Sequence, residues 1–219
     1  MYFCSPIQKS KEMRKALAIV ALVAAMFVAG NVQAQSTVYA AYTPETFVTG
    51  NGSSTDYQGF AVGFSHNIGL LKGLGVAVGG QFRLNNRNTQ DSNTLGSIKT
   101  HTNQFVVDVP VLFNYSIGIN RNLSIVPFVG PMMSLGLTYK TKTITHENIL
   151  GTTSESTTDW YGDNSNMNRF NLYAVFGADV KYNKFNLFGG YRLGLTDLNK
   201  SDNGSLKTNG FFVGIGYTL

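Results

Sequence analysis

Three histidines, His66, His101 and His146, are the first residues in this sequence that could act in acid–base or nucleophilic chemistry. A catalytic dyad needs a nucleophile within hydrogen-bond reach of its base, and none of the three stands in a His-x-Ser pattern with a nearby acid. His146 and Glu147 are adjacent and point to opposite sides of a strand, so they make a poor metal pair. One cysteine in 219 residues excludes a Cys-rich zinc site. The sequence predicts no catalytic residue, no metal site and no cofactor.

Five charged residues form a second candidate site, because they lie on the small and polar side of segments that alternate in polarity. Arg83, Asp108 and Arg192 lie at similar distances along their strands from the short turns described below. We therefore expect their side chains to lie at the same level inside the barrel. Since buried charges need partners, we expect Asp108 to pair with Arg83, with Arg192 or with both, in a structural role that plugs the interior. Independent hydration of each charge is the alternative. The five residues are Arg83, Asp108, Asp179, Lys181 and Arg192.

Two aromatic residues, Trp160 and Tyr161, stand in the long polar segment 140–169. Long loops often carry function, so contact with a partner is one hypothesis for this pair. The alternative is that both rings pack within their own loop.

The first 34 residues have the three parts of a secretory signal peptide. A basic cluster precedes the apolar run 16–29, and the small residue Ala34 provides a cleavage point. A helix of this length rises only about 21 Å, short of the roughly 30 Å hydrocarbon core, which disfavours the alternative of a transmembrane anchor. Met13 begins a conventional leader by itself, so residues 1–12 are compatible with an over-called start. We expect cleavage after Ala34 and a mature domain over 35–219.

Most of the positive net charge belongs to the predicted leader. The whole chain carries a formal charge of +5, whereas residues 35–219 hold 13 basic and 11 acidic residues, a net charge of +2. The remaining basic residues are scattered singly, without the basic patch that nucleic-acid binding needs. Nucleic acid is therefore not an expected partner.

After the leader, polarity alternates with period 2, which is typical of β-strands. The connections alternate between short turns, at 67–73, 117–122 and 183–184, and longer polar segments. The longer segments are 48–56, 85–104, 140–169 and 197–209. The pattern predicts eight strands, at 36–47, 57–66, 74–84, 105–116, 123–139, 170–182, 185–196 and 210–219.

The two faces of the predicted strands indicate a membrane barrel. A water-facing surface carries about 25–35% charged residues, but only 13% of this chain is charged, and large apolar side chains form stripes along most strands. Apolar residues outside and small residues inside suit a narrow barrel in lipid. We predict an all-β, eight-stranded, antiparallel up-and-down transmembrane barrel; a secreted, soluble, lipocalin-like barrel is the alternative. Seven tyrosines are expected at strand ends, as an interfacial girdle: Tyr42, Tyr57, Tyr115, Tyr139, Tyr182, Tyr191 and Tyr217.

Three stretches and the C-terminus resemble the outer membrane β-barrel domain family of Bacteroidetes, whose members are often labelled porin-family proteins. The stretches are 107–115, 126–130 and 190–198, and the closing 214–219 resembles the terminal strand that assembly machinery recognises. Leu219 departs from the aromatic residue that often ends such chains. The resemblance covers 35–219 and implies a monomer in the outer membrane, with membrane lipid, barrel-assembly machinery and periplasmic chaperones as partners.

The expected function is non-enzymatic, with a role in envelope structure or in surface contact through the long extracellular loops. Eight strands leave an interior filled by side chains, whereas open channels belong to barrels of about 16–18 strands. An adhesin or host-contact protein, a small porin-like channel and a lipid-modifying enzyme remain as alternatives. The resemblance implies architecture and names no ligand, solute or host partner.

Overall fold

Antiparallel pairing runs from strand to strand around the molecule and returns to its start. The computed structural model describes residues 34–93, 96–147, 152–162, 167–200 and 204–219, and the predicted leader up to residue 33 lies outside them. Val38 pairs with Tyr217, so the first strand closes onto the last. The strands are β1 Ala34–Tyr42, β2 Glu45–Thr49, β3 Ser54–Leu71, β4 Leu74–Asn93, β5 Gly96–Tyr115, β6 Ile117–Gly118, β7 Leu123–Glu147, β8 Thr152–Asp159, β9 Phe170–Tyr182, β10 Phe185–Gly194 and β11 Leu206–Thr218.

Eight barrel-spanning strands, called staves below, make up the barrel, as the sequence predicts. A stave consists of one strand or, in the first case, of two consecutive strands. Pro44 follows Thr43 and splits the first stave into β1 and β2, because proline cannot donate to a ladder. The seven others are β3, β4, β5, β7, β9, β10 and β11, each paired with its neighbours. The two-residue β6 and the strand β8 pair only with β7 among the described strands. The predicted fold class is confirmed.

Large apolar side chains cover the outside of the barrel. Phe60 is 63% exposed, Phe185 65% and Ile215 67%, and they alternate with inward residues along their strands. Such a surface suits lipid rather than water, and closure leaves no free sheet edge in the hydrocarbon. In the described part of the chain, no helix is long and apolar enough to cross a membrane.

Within the described residues, most of two segments expected as loops, 85–104 and 140–169, forms strands. Residues 85–93 continue β4 and 96–104 begin β5, while 140–147 continue β7 and pair with β8. A 20-residue strand such as β4 is about 68 Å long, well beyond the roughly 25 Å apolar band. These segments are rich in Asn, Ser and Thr, a composition that is typical of loops. Backbone pairing with the adjacent strands nevertheless keeps them extended. Both hairpins therefore continue past the membrane.

Two of the seven tyrosines expected in the girdle are buried inside the barrel. Tyr139 is 5% exposed because a β-bulge precedes it: Phe105 pairs with Thr138 and Val106 with Gly136, which leaves Leu137 as an extra residue. The extra residue reverses the alternation that follows. Tyr57 is 6% exposed and lies on the inward side of β3.

Candidate functional site

Arg83 lies at the centre of the interior, between two carboxylates. Its Nε donates to Asp108 Oδ2 at 2.9 Å and its Nη2 to Asp108 Oδ1 at 3.1 Å, while Nη1 donates to Glu45. Neither Arg83 nor its two partners is more than 2% exposed. A bidentate guanidinium–carboxylate pair fixes geometry as well as charge. This triad is called the charge plug below.

Polar side chains from neighbouring staves complete the carboxylates of the charge plug. Asp108 accepts hydrogen bonds from Gln81 Nε2 at 2.7 Å and from the Ser134 hydroxyl. Glu45 accepts from Asn85 Nδ2 at 2.6 Å and from the Tyr173 hydroxyl. Buried charge is tolerated only when its remaining lone pairs are satisfied in this way.

Arg192 forms no ion pair with Asp108 and bonds to the backbone of the first stave instead. Its Nη2 donates to the carbonyl oxygen of Thr43 at 2.9 Å and lies 3.4 Å from that of Pro44. Within the described residues, no carboxylate lies within 4.0 Å of this guanidinium. The ring of Tyr173 lies beside both arginines, with each Cζ 5.9 Å from its centroid. Of the expected pairings, the structure has Asp108 with Arg83 alone.

A cluster of aromatic and apolar side chains caps the charge plug on the side of the long connections. The hydroxyls of Tyr57 and Tyr139 are 2.8 Å apart, and Gln104 Nε2 donates to the Tyr161 hydroxyl at 3.0 Å. This aromatic cap consists of Phe47, Tyr57, Tyr139, Tyr161, Met167 and Leu198.

The two aromatic residues considered as a contact surface, Trp160 and Tyr161, lie in different environments. Tyr161 is 6% exposed and belongs to the aromatic cap, so packing rather than contact with a partner describes this ring. Trp160 is 44% exposed, and its indole Nε1 donates to Thr141 Oγ1 at 2.8 Å. Both follow the return strand β8 rather than a loop tip.

A cavity of about 140 Å³ lies on the other side of the charge plug. Asp179 and Lys181 line it, away from Arg83, so the five charged residues expected inside do not form one group. Asp179 Oδ2 accepts a hydrogen bond from Asn186 Nδ2 at 2.8 Å. The interior thus has three layers: aromatic cap, charge plug and cavity.

Asp197 lies in the connection between β10 and β11 and holds that connection against the aromatic cap by hydrogen bonds. Its Oδ1 accepts hydrogen bonds from the backbone N–H of Asn199 at 2.9 Å and of Leu206 at 2.8 Å. These two bonds favour the ionised carboxylate and hold the pKa of Asp197 below its ordinary value. Because Leu198 belongs to the aromatic cap and Leu206 packs against it, the carboxylate helps to hold this side of the cap in place.

Sequence reasoning missed Glu45, the second carboxylate of the charge plug. The signal was present, since Glu45 shares its side of the first stave with Ala41, Thr43 and Phe47, all buried. Pro44 interrupts that stave and obscures its alternation, which is why the residue escapes a period-2 analysis. Tyr173, which donates to Glu45, is a second residue of the site that the sequence analysis did not single out.

The three histidines have separate polar partners. His101 Nδ1 lies 2.7 Å from Asn88 Oδ1, and His146 Nδ1 lies 2.9 Å from Thr153 Oγ1. His66 Nδ1 lies 3.0 Å from the Ser36 hydroxyl, a contact that spacing in the sequence did not indicate. Among the described residues, no group of three or more His, Cys, Asp or Glu side chains could hold a metal ion.

Solved structures of outer-membrane barrels are similar to this chain. The attachment invasion locus protein Ail of Yersinia pestis is 16% identical, with 84% of this chain and 98% of that chain covered and a TM-score of 0.47. Neisserial surface protein A is 14% identical, with coverages of 84% and 97% and a TM-score of 0.43. The outer membrane enzyme PagL is 10% identical, with coverages of 80% and 97% and a TM-score of 0.36. No curated protein matches the sequence.

A family model gives the decisive comparison, because it covers most of the chain. The family described as outer membrane protein beta-barrel domain matches residues 25–200. The closed ring of staves and its apolar exterior agree with that match. The chain belongs to the outer membrane protein beta-barrel domain family and is a small β-barrel protein of the outer membrane.

Proposed function

We propose that the protein is a non-enzymatic surface protein, in which a closed barrel holds a rigid sheet outside the membrane for contact with other surfaces. The observation that carries the proposal is the lateral pairing of the two long hairpins. Asn103 pairs with Lys140 and Ser97 with His146, so β4, β5, β7 and β8 continue outward as one four-stranded sheet. Paired strands hold side chains in fixed positions, as a contact surface requires.

One face of this outer sheet carries ordered rows of hydroxyl groups. Thr89, Thr100, Thr143 and Ser156 are successive cross-strand partners, one on each strand. A second row runs from Arg87 on β4 to hydroxyl groups on the other three strands, those of Thr102, Thr141 and Thr158. The hydroxyls of Thr102 and Thr141 lie 3.0 Å apart, and Thr102 is buried. Trp160 donates to Thr141, an inner member of this row.

The opposite face of the outer sheet is charged. His101 pairs with Lys142, and Lys142 Nζ lies 2.9 Å from Glu155 Oε2, with both side chains about half exposed. Exposed ion pairs contribute little to stability, so these charges are available for contact. The two faces offer different chemistry on one rigid support.

The interior supports an anchor rather than a channel. The charge plug and the aromatic cap occupy the barrel in successive layers, and the plug residues are at most 2% exposed. We further propose that the barrel is a monomer bounded by outer-membrane lipid, because the ring closes within one chain. Barrel-assembly machinery and periplasmic chaperones are its proposed partners during biogenesis.

The test is replacement of residues 141–158 by Asn-Gly, a strong hairpin turn, between the paired residues Lys140 and Asp159. This change removes half of the outer sheet and keeps Tyr161 and Met167 in the aromatic cap. We expect bacteria that display the intact protein to adhere to cultured host cells or to one another, and the shortened protein to lose that gain. Asn51→Ala, at the β2–β3 turn on the same rim, is the control. Equal adhesion by the intact and the shortened protein would contradict the proposal.

An acyl hydrolase that acts on membrane lipid is the second candidate, favoured by the contact between Ser36 and His66. Their polar atoms lie 3.0 Å apart, and each is two residues from an exposed outward side chain, Val38 or Phe64. A serine beside a basic imidazole is the arrangement of an activated nucleophile. A fluorophosphonate probe that labels the protein but not Ser36→Ala would support this candidate. Absence of labelling, with unchanged envelope lipid in a knockout strain, would dismiss it.

A further inference from the structure

The cavity beneath the charge plug has an apolar body and a cationic end. Its walls include Leu112, Val126 and three phenylalanines, Phe128, Phe188 and Phe212, and Arg192 lines it as well. Its volume of about 140 Å³ is close to that of an engineered apolar cavity of about 150 Å³ that binds benzene. The cavity therefore suits an occupant about the size of one aromatic ring.

Arg192 is the feature that selects the occupant. Its side chain is buried, and its Nε has no hydrogen-bond partner among the described residues. Both carboxylates of the charge plug bond to Arg83, whereas the hydrogen bonds that Arg192 makes to the described residues go to backbone carbonyl oxygens. A buried guanidinium without a direct counter-ion favours an anion, because the pairing offsets the cost of desolvating the charge.

The polar groups nearer the short-turn rim do not compete for this anion. Asp179 is opposite Phe188 in the ladder, four residues from Arg192 on β10, which places it about 13 Å away along the strand. Asp179 and Lys181 lie two residues apart on one face, so their charges offset each other. The rim is thus polar and close to neutral, and the cationic end lies deeper.

We propose that this cavity binds a small apolar carboxylate, which enters from the short-turn rim. Its carboxylate accepts hydrogen bonds from Arg192, and its aromatic or short aliphatic body lies among Phe128, Phe188 and Phe212. The site faces the periplasm, because short turns lie on that side of outer-membrane barrels. It is independent of the outer sheet and of the role proposed for that sheet.

The test uses the refolded protein in detergent and ¹⁹F NMR of 4-fluorobenzoate, with the neutral 4-fluorobenzyl alcohol as the matched ligand. We expect saturable binding of the carboxylate in the millimolar range or tighter. Since a hydrogen bond to a charged group contributes more than a neutral one, the alcohol should bind at least about tenfold more weakly. Arg192→Gln should abolish that preference.

A second variant keeps the test decisive if loss of Arg192 prevents folding. Ala77 lines the cavity, and Ala77→Phe fills the space while leaving Arg192 and the charge plug in place. We expect Ala77→Phe to fold, as judged by the electrophoretic shift of an unheated barrel, and to bind neither ligand. The proposal is overturned if the natural protein shows no saturable binding, if both ligands bind equally, or if Ala77→Phe binds as the natural protein does.

Discussion

Arg83 Nε and Asp108 Oδ2 lie 2.9 Å apart in the middle of the barrel, on adjacent strands β4 and β5. The pair is shielded from water, and Glu45 brings a second carboxylate to the same guanidinium. The three side chains fill the barrel at one level. The closed interior, and with it the anchoring role proposed here, depends on this arrangement.

Asp108→Asn should destabilise the barrel strongly. The change removes one charge and leaves two buried arginines with Glu45 as the remaining carboxylate of the network. Removing one partner of a buried ion pair costs about 3 kcal/mol or more. Urea unfolding in lipid vesicles, followed by tryptophan fluorescence, measures the free energy of unfolding.

Glu155→Gln is the matched control for Asp108→Asn. It breaks the exposed pair with Lys142, whose side chains are 47% and 55% exposed, and should change the free energy of unfolding by less than about 1 kcal/mol. Equal losses of unfolding free energy in the two variants would show that the buried pair contributes no more to stability than the exposed one.

Tyr161→Ala should destabilise the protein far more than Trp160→Ala. Tyr161 is 6% exposed within the aromatic cap, whereas Trp160 is 44% exposed. Truncating a buried aromatic side chain costs about 3 kcal/mol or more, while the loss for Trp160 should stay near 1 kcal/mol. Thermal unfolding in detergent, followed by circular dichroism, gives the comparison. Similar shifts in Tm for the two variants would contradict the different burial of the two rings.

Gly136→Ala should disturb the aromatic cap. A Cβ atom at this position would overlap the ring and hydroxyl of Tyr161, which Gln104 holds in place. Overpacking of this kind costs about 1–3 kcal/mol. Gly118→Ala, where a Cβ would meet nothing within 4 Å, is the control. The free energy of unfolding should fall for the first variant alone, and a fall in neither would argue against a tightly packed cap.

Acid should loosen the connection that Asp197 fastens. The pKa of Asp197 lies below its ordinary value because two backbone N–H groups bond to it. Its stabilisation is therefore present above about pH 4, the unfolded value, and is lost as the pH falls through the lower folded pKa. The amide NMR shift of Leu206 should titrate with that depressed pKa, and Asp197→Asn should abolish the transition. A midpoint at or above the ordinary value would contradict the two hydrogen bonds.

Period-2 alternation was enough to predict the ring of eight staves and the burial of Arg83, Asp108 and Arg192. It could not predict which charges pair, because a strand pattern gives a side chain its face but not its neighbour across the barrel. Arg192 reaches the backbone at Thr43, which sequence spacing does not show. Glu45 was missed because Pro44 breaks the first stave.

The outer parts of the molecule departed furthest from the sequence-based expectation. Tyr139 points inward because the bulge at Leu137 shifts the alternation, and one extra residue leaves no signature in composition. The polar hairpins were expected as loops, since Thr, Asn and Ser are common in both settings. Their extended form depends on cross-strand partners such as Thr102 and Thr141, which are far apart in the sequence.

Single-channel recording in a planar lipid bilayer tests the closed interior most directly. The natural protein should show no steady conductance, because the charge plug and the aromatic cap block the barrel. The double variant Glu45→Ala/Arg83→Ala, which removes two of the three plug residues, should show frequent openings if it folds. A steady, large conductance of the natural protein would contradict the closed barrel and favour a small channel.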